Sequence, residues 1–219
     1  MARKKLQLAL DMLSLEEGLA FLEQVAGYID IIEIGTPLIV SEGARSIRMI
    51  KEHYPDLLVF ADIKVMDGGK FVPLSVIDAG CDLFSVLCAA ENETLESAIQ
   101  LAHRNSVQVI ADLCGVRDVQ SRAREVAQMS PDYLCCHVGI DMQQTGANPV
   151  AEAEAVAQMG IPLAIAGGIR METFAEAIAS PAEIIICGNG LCHADNPADT
   201  AKQMHEMLHA YNSEHHLTL

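Results

Sequence analysis

Apolar stretches recur along this chain at nearly even intervals. Eight of them, 21 to 29 residues apart, begin near residues 6, 30, 58, 83, 107, 133, 162 and 183. Segments with a helical pattern lie between or after them, at 15–26, 41–54, 70–79, 93–104, 118–129, 149–159, 171–179 and 197–211. Strands that alternate one by one with helices indicate a parallel sheet, because each connection must return the chain to the same end of the sheet.

Eight such units predict an α/β fold of the (β/α)8 (TIM) barrel type, in which the sheet closes on itself. An open, doubly wound sheet is the alternative, but it gives no reason for eight units of similar length. The 219 residues fit one barrel, and no linker or low-complexity stretch divides them. We therefore expect a single domain over residues 1–219, with residues 212–219 as a C-terminal tail.

The composition excludes several classes of function. The net charge of −16 is opposite in sign to a nucleic-acid-binding surface, so we expect no nucleic-acid partner. No stretch is long enough for a membrane span, and residues 6–10 are too short for a secretion signal, which predicts a cytoplasmic protein without a membrane partner. The negative charge would also repel a phosphorylated substrate, so backbone N–H groups would have to bind the phosphate.

The seven cysteines lie mostly in apolar runs and have no C-x-x-C spacing. This pattern is typical of buried, reduced thiols. Cys187, Cys192 and His193 could be imagined as metal ligands, but no second cluster completes a tetrahedral set, so we favour the structural role.

Residues 60–69 are the most informative stretch, because an apolar run passes there directly into charged residues. Side chains of a strand alternate between its faces, so Asp62 and Lys64 share one face. Asp67 falls just after the strand, where two glycines allow a turn. Burying charges is costly unless they are paired or bind a metal. An ion pair would explain Asp62 and Lys64 alone, but charged residues at other strand ends favour a functional site.

Polar residues stand at the carboxyl ends of most predicted strands, which is the edge where barrel enzymes have their active sites. Those outside the third strand are Asp11, Glu33, Asp112, His137 and Asp141. The fourth strand is apolar to Cys88 and is expected to contribute little. Carboxylates without a Cys/His cluster suit a hard cation such as Mg²⁺.

The seventh and eighth predicted strands end in glycines, as Gly167-Gly168 and Gly188-Asn189-Gly190. A tight turn would explain the glycines of either strand end taken alone. Two glycine turns on adjacent strands at this edge favour a phosphate bound by backbone N–H groups.

These residues resemble those of a known family. Asp11, residues 32–38 and residues 61–69 are similar to the orotidine 5′-phosphate decarboxylase suprafamily. Within it they resemble the group of 3-hexulose-6-phosphate synthases and 3-keto-L-gulonate-6-phosphate decarboxylases. The D-x-K-x-x-D element is specific to the suprafamily, and the E-I-G-T-P stretch narrows the resemblance to this group.

The resemblance implies a (β/α)8 homodimer with active sites at the subunit interface. It implies that Glu33 and Asp62 bind Mg²⁺, for which Mn²⁺ is an alternative, and that Asp67 reaches the neighbouring subunit's site. The other implied site residues are Asp11 and Lys64 from the same chain, His137 for proton transfer, Asp112 in the substrate site, and Gly167, Gly168, Gly188 and Gly190 at the phosphate, with Asn189 in the same turn.

Two positions distinguish the two activities of this group. The decarboxylases resemble His-x-x-Arg-Asp on the sixth strand, whereas this chain has Ile140 in place of the arginine. They also have Gly-Arg at the turn after the eighth strand, where this chain has Gly188-Asn189. Both differences favour the synthase.

The expected enzyme is thus an aldehyde-lyase that joins D-ribulose 5-phosphate and formaldehyde reversibly into D-arabino-hex-3-ulose 6-phosphate, through a 1,2-enediolate. Decarboxylation of 3-keto-L-gulonate 6-phosphate is the nearest alternative. A non-catalytic, regulatory barrel that binds a sugar phosphate is an alternative of another class. Binding alone would not need both metal ligands and a proton carrier, which favours an enzyme.

Overall fold

The computed structural model describes residues 2–217 as one closed barrel of eight parallel strands in sequence order, which confirms the predicted (β/α)8 fold. The strands are β1 (Lys5–Leu10), β2 (Ile31–Ile34), β3 (Leu58–Val65), β4 (Leu83–Leu87), β5 (Gln108–Asp112), β6 (Tyr133–His137), β7 (Leu163–Ala166) and β8 (Ile184–Cys187). Each strand pairs with the next, and β1 pairs with β8 to close the barrel.

Helices surround the barrel. They are α1 (Leu15–Val25), α2 (Thr36–Glu42), α3 (Arg45–His53), α4 (Leu74–Ile77), α5 (Asn92–Arg104), α6 (Val119–Ala127), α7 (Pro149–Val156), α8 (Met171–Ala179), α9 (Asn189–Cys192) and α10 (Pro197–Glu214). The side chains of Ser14 and Asn196 cap α1 and α10 by accepting hydrogen bonds from backbone N–H groups of the first turn, which fixes where these helices begin. In the part of the chain that is described, no helix is both long and apolar enough to cross a membrane.

Two predicted helices differ from the observed ones. The segment predicted at 41–54 is divided by Gly43, which has a φ of +62°, and its first part already begins at Thr36. The segment predicted at 70–79 contains only the single turn of α4, since turns occupy the residues before Pro73. Proline lacks the N–H that would continue a helix from those turns.

The prediction of a tail over residues 212–219 is wrong at its start, because α10 continues to Glu214 and Asn212 is buried. The Asn212 side chain accepts a hydrogen bond from Lys4 N at 2.9 Å and donates one to Lys4 O at 3.1 Å. The last helix is therefore tied to the start of β1. Residues 218 and 219 lie outside the described part.

Strand side chains alternate between two apolar layers, as the period of two requires. Leu6, Leu8 and Leu10 belong to the larger core between strands and helices. The opposite faces fill the barrel interior with Ala9, Ile31, Phe60, Leu83, Ile110, Tyr133, Cys135, Ala164, Ala166, Ile184 and Ile186. This interior layer closes the barrel below its mouth, so the mouth is a cavity and the barrel is not a pore.

Candidate active site

A cavity of about 810 Å³ opens at the carboxyl ends of the strands, a volume suited to a small-molecule ligand. Its apolar lining includes Ala9, Phe60, Ile110, Cys135, Ala166 and Ile186. The predicted site residues that line it are Asp11, Glu33, Asp62, Lys64, Asp112, His137, Gly167, Gly168, Gly188, Asn189 and Gly190. Closure of the barrel thus brings together residues from seven strands or the turns that follow them.

The Asp62 carboxylate lies at the centre of a hydrogen-bond network. Its Oδ1 accepts from Ser85 Oγ at 2.8 Å, and its Oδ2 accepts from Thr36 Oγ1 at 3.0 Å and from the ammonium of Lys64. Only 6% of Asp62 is exposed, so its charge needs these partners. The Asp62–Lys64 ion pair that the sequence offered as an alternative to a functional site exists, and it lies inside the cavity.

The backbone at Lys64 is unusual for a strand. Lys64 has a φ of +44°, and the pairing of β3 with β4 shifts its register between Ala61 and Val65. The Lys64 N–H donates to Ser85 Oγ at 2.8 Å, which supports the distorted segment. Such irregularities re-aim side chains near active sites, and a non-glycine residue at positive φ costs about 1–3 kcal/mol.

Several charges crowd the side of the cavity formed by the first three strands. Burial and the nearby Asp62 charge raise the pKa of Glu33 well above its usual range, although a hydrogen bond from Gln7 opposes this. Burial and Asp62 also raise the pKa of Asp11. Burial alone would lower the pKa of Lys64, but the charge and hydrogen bond of Asp62 outweigh it, so the pKa is raised. Glu33 and Asp11 therefore have too little positive charge near them to stabilise their ionised forms fully, whereas Lys64 stays protonated as an ammonium.

His137 and Asp112 form a pair on the opposite side of the cavity. His137 Nδ1 lies 2.8 Å from Asp112 Oδ2, and Cys114 N donates to Asp112 Oδ1 at 2.8 Å. Burial lowers the pKa of His137, but the hydrogen bond and charge of Asp112 outweigh it, so the pKa is raised. With Nδ1 held by Asp112, Nε2 is left as the ring atom for a ligand.

The two glycine turns have a backbone that side chains would obstruct. Gly167 has a φ of +98° and Gly168 a φ of +72°, both in the left-handed region. A Cβ on Gly167 would collide with the carbonyl of Val138, and one on Gly190 with the carbonyl of Ile169. Within residues 2–217, the N–H groups of Gly167 and Gly168 donate no hydrogen bond. They remain able to bind an anion.

Comparison with known proteins identifies the family. Residues 4–204 match the family described as Orotidine 5′-phosphate decarboxylase / HUMPS. The chain belongs to this family. Over 206 residues it is 36% identical to the 3-hexulose-6-phosphate synthase of Bacillus subtilis, an alignment that covers 93% of this chain and 98% of the relative.

Solved structures of family members have the same fold. The 3-hexulose-6-phosphate synthase from Salmonella typhimurium has a TM-score of 0.91 and 36% identity, covering 94% of this chain and 99% of that one. The 3-keto-L-gulonate-6-phosphate decarboxylase from Vibrio cholerae has a TM-score of 0.85 at 24% identity, covering 96% and 99%, and this likeness shows the fold alone. Because its relatives in this family are synthases of the lyase class, the chain is an enzyme of that class.

Asp67 differs from the other predicted site residues, because it does not line the cavity of its own chain. It is exposed on the turn after β3, where its Oδ1 accepts a hydrogen bond from Gly68 N at 2.6 Å. No hydrogen bond or ion pair joins Asp67 to Lys64 within residues 2–217. The resemblance to the family assigned Asp67 to the neighbouring subunit, and this position is compatible with that role.

Sequence reasoning missed three polar side chains of the site. Ser85 bonds both Asp62 and Lys64, so the expectation that the fourth strand contributes little is wrong. Thr36 bonds Asp62 and Lys64, and Gln7 bonds Glu33. For Ser85 and Gln7 a signal was present, namely a polar residue at the spacing of the interior face, but its partner lies on another strand. Thr36 begins α2 and had no such signal.

Proposed function

We propose that this enzyme catalyses the reversible aldol reaction of D-ribulose 5-phosphate with formaldehyde to give D-arabino-hex-3-ulose 6-phosphate. The supporting observation is that one cavity contains the Asp62–Lys64 ion pair, the His137–Asp112 pair and the glycine turns. The 36% identity with two proteins named 3-hexulose-6-phosphate synthase supports this choice of substrates.

A divalent cation would be held by Glu33 and Asp62, with Mg²⁺ as the first candidate and Mn²⁺ as an alternative. The donor set fits, because both carboxylates are buried, and burial together with the charge of Asp62 raises the pKa of Glu33. A cation would relieve the repulsion between the two carboxylates. In the described residues no group of three or more His, Cys, Asp or Glu could hold a metal ion. Mg²⁺ needs only one or two carboxylates, since water and substrate complete its shell. When bound, it supplies a Lewis acid for the oxygens of the reacting sugar.

His137 is the proposed base. Its Nε2 takes the proton from C1 of the ketose phosphate, and the C1–H electron pair passes into a 1,2-enediolate. The C1=C2 electron pair of the enediolate then forms the bond from C1 to the carbon of formaldehyde, which restores the carbonyl at C2. The former carbonyl oxygen of formaldehyde takes the proton that Nε2 carries. Asp112 holds the imidazole in the required orientation, as carboxylate partners of histidine do.

Lys64 supplies fixed positive charge beside the developing oxyanion. Its raised pKa keeps it protonated during the reaction. Asp11, which lines the same cavity, would hold substrate hydroxyls together with Asp67 from a second copy of the chain. The phosphate would lie at Gly167 and Gly168, whose N–H groups point to no acceptor of the described chain.

The proposal includes a homodimer with shared sites. Asp67 lies outside its own cavity, and large apolar side chains near it in sequence are exposed. Phe71 is 75% exposed and Met66 is 53% exposed, and Val72 and Leu74 are exposed as well. Exposed apolar clusters of this kind mark interaction surfaces. A second copy of the chain would cover them and receive Asp67 in its cavity.

The test is consumption of formaldehyde in the presence of D-ribulose 5-phosphate, with and without EDTA, beside release of CO₂ from 3-keto-L-gulonate 6-phosphate. We expect EDTA-sensitive consumption and a higher kcat/KM for the aldol reaction. Glu33→Gln and Asp62→Asn should be inactive even with added Mg²⁺, whereas Glu154→Gln, on the outside of α7, should be unaffected.

Full activity of either metal-ligand variant would refute the metal assignment. Preferential turnover of the ketogulonate substrate would replace the synthase by the decarboxylase. Binding of ribulose 5-phosphate without turnover, measured by calorimetry, would instead support a regulatory barrel.

A further inference from the structure

Gln7 has an unusual environment inside the barrel. It is completely buried on β1, where Ile31 of β2 and Ile186 of β8 are its register partners. Among residues 2–217, Gln7 Oε1 is the one fully buried side-chain oxygen or nitrogen without a hydrogen-bond partner. A buried acceptor without a partner loses its hydration and gains nothing in return. Methionine or leucine would fill the same space without that loss, so packing alone does not explain the amide.

The other end of the amide does have a partner. Gln7 Nε2 donates to Glu33 Oε2 at 2.6 Å, the one hydrogen bond that the side chain makes within the described chain. Glu33 Oε1 accepts no hydrogen bond within the described chain and is not fully buried. Because Glu33 lines the cavity, this oxygen is accessible from it. The amide therefore holds one carboxylate oxygen from below while the other faces the cavity.

We propose that Gln7 is a positioning residue that orients Glu33 for the cation, an inference that rests on the metal site of the proposed function. A carboxylate next to Asp62 is repelled by it and tends to rotate away. The neutral amide N–H of Gln7 stabilises the Glu33 carboxylate against this repulsion, and it places no second positive charge beside the cation. Partners of metal-bound carboxylates act in this way, and their loss weakens metal binding about 10–100-fold.

The test compares Mn²⁺ binding by metal-stripped enzyme, measured by electron paramagnetic resonance, with thermal melting in EDTA. Gln7→Met should bind Mn²⁺ about 10–100-fold more weakly, while its melting temperature should change little, because the variant loses the unpartnered Oε1 but also leaves Glu33 Oε2 without its donor. Lys5→Met, on the same strand two residues earlier, changes another interior side chain and should leave Mn²⁺ binding unchanged. Gln7→Leu provides a second variant if Gln7→Met folds poorly.

The outcomes separate this inference from the metal site itself. If the wild type does not bind Mn²⁺, or Glu33→Gln binds it equally well, the metal site fails. If Glu33→Gln loses binding but Gln7→Met and Gln7→Leu keep it, the role of Gln7 is refuted. Loss of Mn²⁺ affinity that comes with a lowered melting temperature in both Gln7 variants would assign the amide to folding, and would also overturn the inference.

Discussion

The Nδ1 atom of His137 lies 2.8 Å from Oδ2 of Asp112. Asp112 is itself buried and is held from its other side by Cys114 N at 2.8 Å. The carboxylate therefore has little freedom to rotate, and it fixes the orientation of the imidazole. It also outweighs the effect of burial and raises the pKa of His137 above its ordinary value of 6.5.

We predict that His137 sets the acidic limb of the pH profile of kcat/KM, at a pH above 6.5. The base form is lost as the pH falls through this raised pKa. Because Asp112 raises the pKa, Asp112→Asn should lower it and move the limb to lower pH, while kcat falls about 10²–10⁴-fold. The measurement is kcat/KM across the pH range for both proteins. A limb that stays in place in Asp112→Asn would exclude His137 as the titrating base.

Lys64 allows a test that separates its backbone from its charge. Both Lys64→Ala and Lys64→Gly remove the ammonium, so both should lose activity. Glycine accepts the φ of +44° without strain, and Lys64→Gly should therefore unfold with a free energy about 1 kcal/mol larger than Lys64→Ala. Urea denaturation measures the difference.

Lys202, exposed within α10, provides the matched control. At an ordinary helical position the order reverses, and the glycine variant should be about 1 kcal/mol less stable than the alanine variant. Equal stability of the two Lys64 variants would contradict the assignment of strain to this position.

The fold and most of the candidate site could be predicted because both depend on a repeated pattern. Regular apolar runs specify the strands, and a parallel barrel brings all their carboxyl ends to one edge, so Asp11, Glu33 and His137 meet although they are far apart in sequence. The bulge at Lys64 could not be predicted, since neither glycine nor proline marks it. Asn212 looked like part of a tail because its partner, Lys4, lies at the other end of the chain.

Ser85 and Gln7 show why partners are harder to predict than positions. Each is a single polar residue in an apolar strand, which the sequence alone does not distinguish from a tolerated exception. Their roles depend on the register between neighbouring strands, which places Ser85 beside Asp62 and Gln7 beside Glu33. Register in a barrel is set by the closure of all eight strands, and short-range patterns do not contain it.

Arg170 is predicted to strengthen phosphate binding. It follows the Gly167-Gly168 turn, lines the cavity, and pairs with Glu172 at 3.3 Å, where both side chains are largely exposed. Such exposed pairs contribute little, so the guanidinium is available to an anion that the net charge of −16 would otherwise repel.

The variant Arg170→Ala should raise KM for ribulose 5-phosphate about tenfold with kcat nearly unchanged, because the contact is made equally in the ground state and the transition state. Steady-state kinetics provide the measurement. Arg48→Ala, on the exposed side of α3, should leave KM unchanged. An unchanged KM in Arg170→Ala would leave the backbone N–H groups as the main phosphate ligands.

The shared-site dimer makes a prediction that no monomeric enzyme would satisfy. Lys64→Ala removes a group that acts within its own chain, and Asp67→Asn removes one that acts in the partner's cavity, so each variant alone should be inactive. In a mixed dimer, one cavity contains both substitutions and the other contains neither. Mixing the two proteins under conditions that allow subunit exchange should therefore restore about a quarter of wild-type activity, since half of randomly formed dimers are mixed.

Two controls make this complementation specific. Mixing Lys64→Ala with Asp62→Asn should restore nothing, because both residues act in the cavity of their own chain and every site then contains one defect. Phe71→Asp places a charge in the exposed apolar cluster and should give a monomer by light scattering, with the activity lost although its own cavity is intact. If the Lys64→Ala and Asp67→Asn mixture stayed inactive while exchange was demonstrated, Asp67 would have no role in the neighbouring site.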